Sequence, residues 1–402
     1  METKIEFAHD FRSKTSKLEK EIRSLLKQNT NQADKNSSSL LVKNVPTREI
    51  EKKVDSLRQV LKKQYSNCLL LEPAYASKKK IDEKLWTTCF YKHIGEQRGI
   101  IQHLSHKLNQ EILAEIECKP NEITKNSSNN RNSKRTRRVL SKVCGNFLNF
   151  LDRSGNFYES LAKKLDNKIS TANIKSLDEE KNSAVNGTAS ELEKLYIKLL
   201  YRCYICLGDL ARYREVYTVS HSSVDPSFKL QKSRGGKEQG NRSNQKRILG
   251  PKANGIDERG NSKNYVKAEN WYDQALVLLP EMGYAHNQLA VLASYKGKNC
   301  ISIYRYIRSL YAPVQFPSAQ DNLRLIFDNL LKECANTDMK AFKLYEDDAH
   351  TGKSLLRSAE RSKLRVRFLQ KFAFVHARIF NSNDRPTISE TTNFEAFDII
   401  LD

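Results

Sequence analysis

Residues that could do chemistry are spread along this chain, and most of them stand in the wrong company for catalysis. Cys203 and Cys206 in YRCYICLGDL have the gap of half a zinc site, yet no second Cys or His pair at matching spacing accompanies them among the eight cysteines. They read as small thiols packed inside a helix. His103 and His106 in HLSH have no Glu between them and no third ligand, so they read as solvated or hydrogen-bonded histidines. HTGKS at 350–354 has the ending of a phosphate-binding loop, but that loop needs a glycine where Asp347 stands and a strand ahead of it. Glu346, Asp347 and Asp348 read as a solvated acidic turn rather than a metal site. No nucleophile elbow or acid–base pair stands out, so the expectation is a non-enzyme with no cofactor and no metal.

The cations are more informative. Lys and Arg number 69 against 47 acids, a formal net charge of +22, which points to an acidic partner: nucleic acid, a phosphopeptide or an anionic membrane. One cluster is Lys134, Arg135, Arg137 and Arg138. Another lies in 219–263, where ten Lys or Arg, including Lys246 and Arg247, face four acids amid Gly, Ser, Asn and Gln. Spread cations of this kind suit phosphate backbones of RNA or single-stranded DNA, and they suit a nuclear-localisation patch or a plain solvated run equally well. No apolar run approaches the ~20 residues of a membrane span, and METKIEFAHDFRSK has no secretory apolar core. A soluble protein of nucleus and cytoplasm is expected.

Stepping along the chain, apolar residues recur at helical spacing almost everywhere. Residues 3–28 read as a charged helix followed by the polar linker NTNQADKNSSS. Val54, Leu57, Leu61 and Tyr65 mark a helix that stops near Pro73. Leu85, Trp86, Phe90, Ile94, Ile101, Leu104, Leu108 and Ile112 form the stripe of one long helix, from which Lys92 points away. KPNEITKNSSNNRNSKRTRR reads as a second linker. Val139 to Leu165 is a Phe-rich helix whose Gly155 suggests close packing, and Leu192–Tyr217 is another helix. Residues 219–263 cannot bury enough apolar area to offset chain entropy and are expected to be a disordered basic loop.

A repeat then appears. Tyr204, Leu207, Gly208 and Ala211 fit the first half of a tetratricopeptide unit, and Ala268, Tyr272, Ala275 and Pro280 fit the second. His286, Leu289, Ala290 and Ala293, with Ser302, Tyr306 and Ser309, make another copy. Ala268 to Ser302, Tyr272 to Tyr306 and Ala275 to Ser309 are each 34 apart. Ala290 and Ser302 are 12 apart, but Gly208 and Ala268 are 60 apart, so the basic segment is an insertion inside the first hairpin. Small residues mark where paired helices approach closely, with Tyr filling the gap beside them.

CLGDLARYREVY, AENWYDQALVLLPEMGYAHNQLAVLASYKGK and YRYIRSLYAPVQFPSAQDNL resemble the family that unites the SMG adaptors of nonsense-mediated mRNA decay with the "ever shorter telomeres" telomerase subunit. KLWTTCFYKHI, FLNFLDRSGNFYESL and LRVRFLQKFAFVHARIF extend the likeness over roughly 85–380. The resemblance implies an all-α, 14-3-3-like tetratricopeptide array of antiparallel helix pairs over 1–335. The start of a second helical domain over 336–402 would follow, with no room for the PIN-type nuclease of one branch. It implies an adaptor that grips phosphoserine or phosphothreonine of an up-frameshift-type RNA helicase, with a paralogue as hetero-oligomer partner. The telomerase branch would instead bind telomerase RNA or telomeric single strands. The grip carries over to Arg212, the first Arg of ARYR. Its partner slot, directly after Phe90, holds Tyr91, and the cation falls one place later at Lys92. Tyr213 and Asn287 either orient the pocket or pack. Two cations on facing helices would select a dianion over a neutral group. The competing reading pairs Arg212 with Asp209 or Glu215 on its own helix.

Overall fold

The computed structural model describes residues 2–36, 48–117, 123–179, 186–222 and 263–336, with isolated helical positions between 369 and 380. Among these residues there are α-helices and no strand, only a single bridge between Met282 and Val314. The fold is an all-α tetratricopeptide/14-3-3-like array. It divides into two compact units along the described chain, one ending at Leu279 and the other starting at Pro280, inside the 1–335 stretch that sequence reading treats as one domain.

The first unit begins with α1 (Glu2–Asn36) against α2 (Arg48–Leu71). Phe11 meets the Tyr65 ring edge-on at 6.0 Å, and the buried Tyr65 hydroxyl donates to Glu19. Pro73 opens α3 (Pro73–Lys78), where its missing N–H costs nothing, and Lys80 turns the chain at φ 51° into α4 (Ile81–Trp86). A π turn, Thr87–Tyr91, leads into α5 (Lys92–Glu117), closed by Lys92 N–H donating to the Thr87 carbonyl. The stripe read as one regular helix is therefore broken by a widened turn, which brings residues five apart onto one face. Trp86 and Tyr91 rings lie 6.3 Å apart as a result, while Trp86 and Phe90 both reach Tyr158 of the next helix, at 6.0 and 5.0 Å.

Helix α6 (Ile123–Glu179) is 57 residues long and packs on α5 and on α7 (Asn186–Ser222). It contains residues 123–138, which sequence reading assigns to a linker. Over 132–138 the buried positions are Ser133 and Thr136, two turns and one turn ahead of Leu140, so a helical face exists there without an apolar signature. Other boundaries move as well: residues 29–36 continue α1, and 219–222 continue α7. The rest of the expected disordered loop, and the acidic and HTGKS stretches, lie outside the described residues.

Helix α8 (Val266–Leu278) crosses onto α7 through Tyr272. Gly208 is the point of closest approach, because a Cβ built there would land on the Tyr272 ring. Gly155, where close packing was expected, has nothing within 4 Å of its missing Cβ.

In the second unit, α9 (Gly283–Tyr295) and α10 (Asn299–Leu310) form a hairpin. Ser302 Oγ donates to the Ala290 carbonyl at 2.8 Å and Ser309 Oγ to that of Gly283 at 2.7 Å. These bonds explain the small polar residues in the repeat: each satisfies a hydroxyl where backbones are too close for a larger side chain. Helix α11 (Ser318–Asn336) adds Leu323, Phe327 and Leu330 to the core around Ile303 and Tyr306. His286 Nδ1 accepts from Arg305 Nη1 at 3.2 Å. Burial first, and then Arg305 and Arg308, push the His286 pKa down to about 4.

Two outcomes follow for stability. Gly208→Ala should destabilise by about 1–3 kcal/mol through overpacking against Tyr272, whereas Gly155→Ala, open and mid-helix, should stabilise by about 0.5–1 kcal/mol; urea unfolding of the two variants checks the opposite signs. The folded pKa of His286 lies below its ordinary 6.5, so the unfolded chain binds the extra proton and stability falls as pH drops from about 6.5 to about 4. His286→Gln should flatten that part of the pH–stability curve.

Candidate functional site

One cluster of charge-bearing groups starts from Asp209 on α7. Asp209 is buried, and its Oδ1 accepts from Arg212 Nη2 at 3.0 Å and from the Tyr272 hydroxyl at 2.8 Å. A buried carboxylate needs such partners to remain charged. Tyr272 itself is fully buried, and burial above all holds its phenol far up and protonated, with Asp209 adding to the effect. The competing reading of Arg212 is thus realised in part: it pairs with Asp209, while Glu215 Oε1 instead accepts from the Asn264 amide at 2.6 Å.

Arg212 does more than neutralise Asp209. Its guanidinium carbon lies 4.6 Å from the centre of the Tyr213 ring, and that of Arg98 on α5 lies 5.3 Å from the same centre. Arg98 Nε also donates to the Tyr217 hydroxyl at 3.1 Å, and Tyr217 is braced edge-on by Phe147 of α6 at 5.1 Å. Burial raises the Tyr213 phenol, while Arg212 and Arg98 pull it down and Asp209 and Tyr91 push it up. Tyr91, Arg98, Arg212, Tyr213 and Tyr217 therefore share one electrostatic neighbourhood. Arg98 has no carboxylate partner among the described residues, so the cluster holds two guanidiniums against the single carboxylate Asp209.

The remaining candidates fall elsewhere. Lys92 is exposed, and no described contact joins it to Arg212, Arg98 or Tyr213. Asn287 belongs to the second unit, where its buried Oδ1 accepts from Asn322 Nδ2 at 3.0 Å. Lys134, Arg135 and Arg138 are exposed on α6, with Arg137 half-buried. Lys246 and Arg247 lie outside the described residues. Arg98 was missed by sequence reasoning, although a signal existed: it stands seven positions after Tyr91, two turns on along a helical face. Among the described residues no three His, Cys, Asp or Glu side chains gather as for a metal ion, and no helix is long and apolar enough to cross a membrane.

Fold and cluster define a helical-array protein of the tetratricopeptide/14-3-3 type in which two guanidiniums gather among tyrosine rings. Two family models match in succession: "Telomerase activating protein Est1" over residues 80–218 and "Est1 DNA/RNA binding domain" over 268–401. The chain belongs to the SMG/Est1 family. The nonsense-mediated mRNA decay factor SMG7 of Arabidopsis thaliana is 25% identical over 68% of this chain and 21% of its own length. The telomerase-binding protein EST1A of Danio rerio is 22% identical over 78% of this chain and 15% of its own. The decay factor SMG5 of Danio rerio is 27% identical over 50% of this chain and 13% of its own. The chain thus spans about a fifth or less of the length of these relatives.

Tyr272→Phe removes one of the two donors to Asp209 and keeps the ring over Gly208. It should cost about 1.5–3 kcal/mol in urea unfolding, the range for a hydrogen bond to a charged group. Tyr272→Ala, which also empties the core, should cost about 3–5 kcal/mol.

Proposed function

We propose that this chain is a non-enzymatic adaptor whose first unit docks phosphoserine or phosphothreonine of a protein partner, in nonsense-mediated mRNA decay. The observation that carries the reading is the charge balance at Tyr213: Arg98 and Arg212 flank the ring, and Asp209 offsets only one of them. A dianionic phosphate is the group that such a pair favours most, since each guanidinium can offer two parallel N–H donors to its oxygens. Arg98 is half-buried and Arg212 buried, so the pair is shielded from the screening that weakens surface cations. Arg98, rather than Lys92, supplies the second charge. The names of the relatives support the pathway, and the up-frameshift type of helicase, a paralogous hetero-oligomer partner and residence in nucleus and cytoplasm are part of the same proposal.

A second reading has its own support. The model matching 268–401 is described as DNA/RNA binding, one relative is telomerase-binding, and α6 carries exposed Lys134, Arg135 and Arg138. On this reading the chain contacts telomerase RNA or telomeric single strands through spread cations, and affinity falls steeply with salt.

Fluorescence anisotropy with a phosphoserine peptide and its unphosphorylated twin separates the two. Arg212→Glu and Arg98→Glu should each weaken phosphopeptide binding at least about tenfold, and Lys92→Glu should leave it within about threefold, since one charge-assisted hydrogen bond is worth about 1.5–3 kcal/mol. Equal binding of both peptides would sink the first reading. Deleting 223–262 should flatten the salt dependence of RNA binding if the second holds.

A further inference from the structure

We propose that the first unit carries a second phosphate-binding recess, between α2 and α6, built for a phosphate monoester such as a phosphoserine side chain. Its lining comes from one face of each helix: Asp55, Arg58, Gln59 and Lys62 at helical spacing on α2, and Phe150, Arg153 and Ser154 on α6. It shares no residue with the cluster around Tyr213.

Two of its cations are buried, which surface lysines and arginines rarely are. Arg58 is 4% exposed and Lys62 8%. Arg58 is partly answered: Nη1 hydrogen-bonds His93 Nδ1 at 3.2 Å, Asp55 Oδ1 lies 3.6 Å away and Glu96 Oε2 3.9 Å from Nη2. Its buried Nε has no hydrogen-bond partner. Lys62 has no carboxylate within ion-pair distance among the described residues, although Asp55 acts on it from farther off. Its ammonium sits 4.5 Å from the centre of the Phe90 ring and 5.9 and 6.0 Å from those of Phe150 and Phe157, and among the described residues it has no ion pair and no hydrogen-bond acceptor. Burial lowers its pKa, Arg58 and Arg153 press the same way, and Cys89 and Asp55 oppose. Arg153 stands exposed at the rim.

Arg58, Lys62 and Arg153 stand against Asp55 in the lining and Glu96 beside Arg58, so the bases outnumber the acids and an anion is favoured. Burial selects the ester: Arg58 and Lys62 are buried and Arg153 is exposed, so a terminal phosphate can reach cations that a nucleic-acid diester, continuing on both sides, meets only at Arg153. Ring faces hold the ammonium in place without using its N–H donors, so those donors stay available to phosphate oxygens.

The test uses the full chain carrying Arg98→Gln and Arg212→Gln, so that the Tyr213 cluster is silent whatever its role. Inorganic phosphate should raise the unfolding midpoint of this protein above its value in chloride at equal ionic strength, and a phosphoserine peptide should bind it in preference to the unphosphorylated twin. Adding Arg153→Gln, a change at an exposed position, should cut the phosphate affinity at least tenfold, and Lys62→Met, close in volume, should abolish it. The proposal fails if phosphate and chloride give the same midpoint, if the rise survives both substitutions, or if an oligoribonucleotide protects better than phosphate does.

Discussion

A buried carboxylate cannot stand alone, and the way Asp209 is satisfied organises the first unit. It draws one donor from α8, the Tyr272 hydroxyl, and one from its own helix, the Arg212 guanidinium. The first fixes where α8 lies, which is possible only because Gly208, next in sequence to Asp209, leaves room for the Tyr272 ring. The second fixes where Arg212 points. One carboxylate therefore joins helix packing to the placement of the Arg212 guanidinium.

Aromatic rings do the complementary task of holding positive charge without neutralising it. Tyr213 lies beside Arg98 and Arg212, and Phe90 beneath Lys62. A ring face stabilises a cation by its quadrupole while leaving N–H donors for something else. Carboxylates in the same places would consume those donors. The unit thus concentrates charge in two places on different helices, each with fewer acids than bases.

Much of this was legible in the sequence. The 34-residue spacing identified Ala268, Tyr272 and Ala275 and their counterparts Ser302, Tyr306 and Ser309, and all six are buried at helix contacts. Apolar periodicity found the main helices because burial there is carried by Leu, Ile and Phe. It failed over 123–138, where Ser133 and Thr136 hold the buried positions of the described stretch 132–138, and at Gly155, since a glycine in a helix need not mark a contact. Lys92 was favoured as a cation from its place next to Tyr91 in the chain. The structure leaves Lys92 exposed and brings Arg98, two turns beyond Tyr91, to the Tyr213 ring, and a widened turn at Thr87–Tyr91 altered the register that a regular wheel assumes.

The long insertion between α7 and α8 interrupts the hairpin that builds the Tyr213 cluster, yet its borders are anchored independently of its length. Glu215 near the end of α7 accepts from the Asn264 amide just before α8, and Tyr272 locks α8 down one turn and more beyond. Closing a longer or shorter loop across such an anchored base changes stability by only about 0.6 kcal/mol per doubling. This position is therefore a natural cassette: foreign sequence, a fluorescent module or an affinity tag could be exchanged there while α7 and α8 keep their geometry.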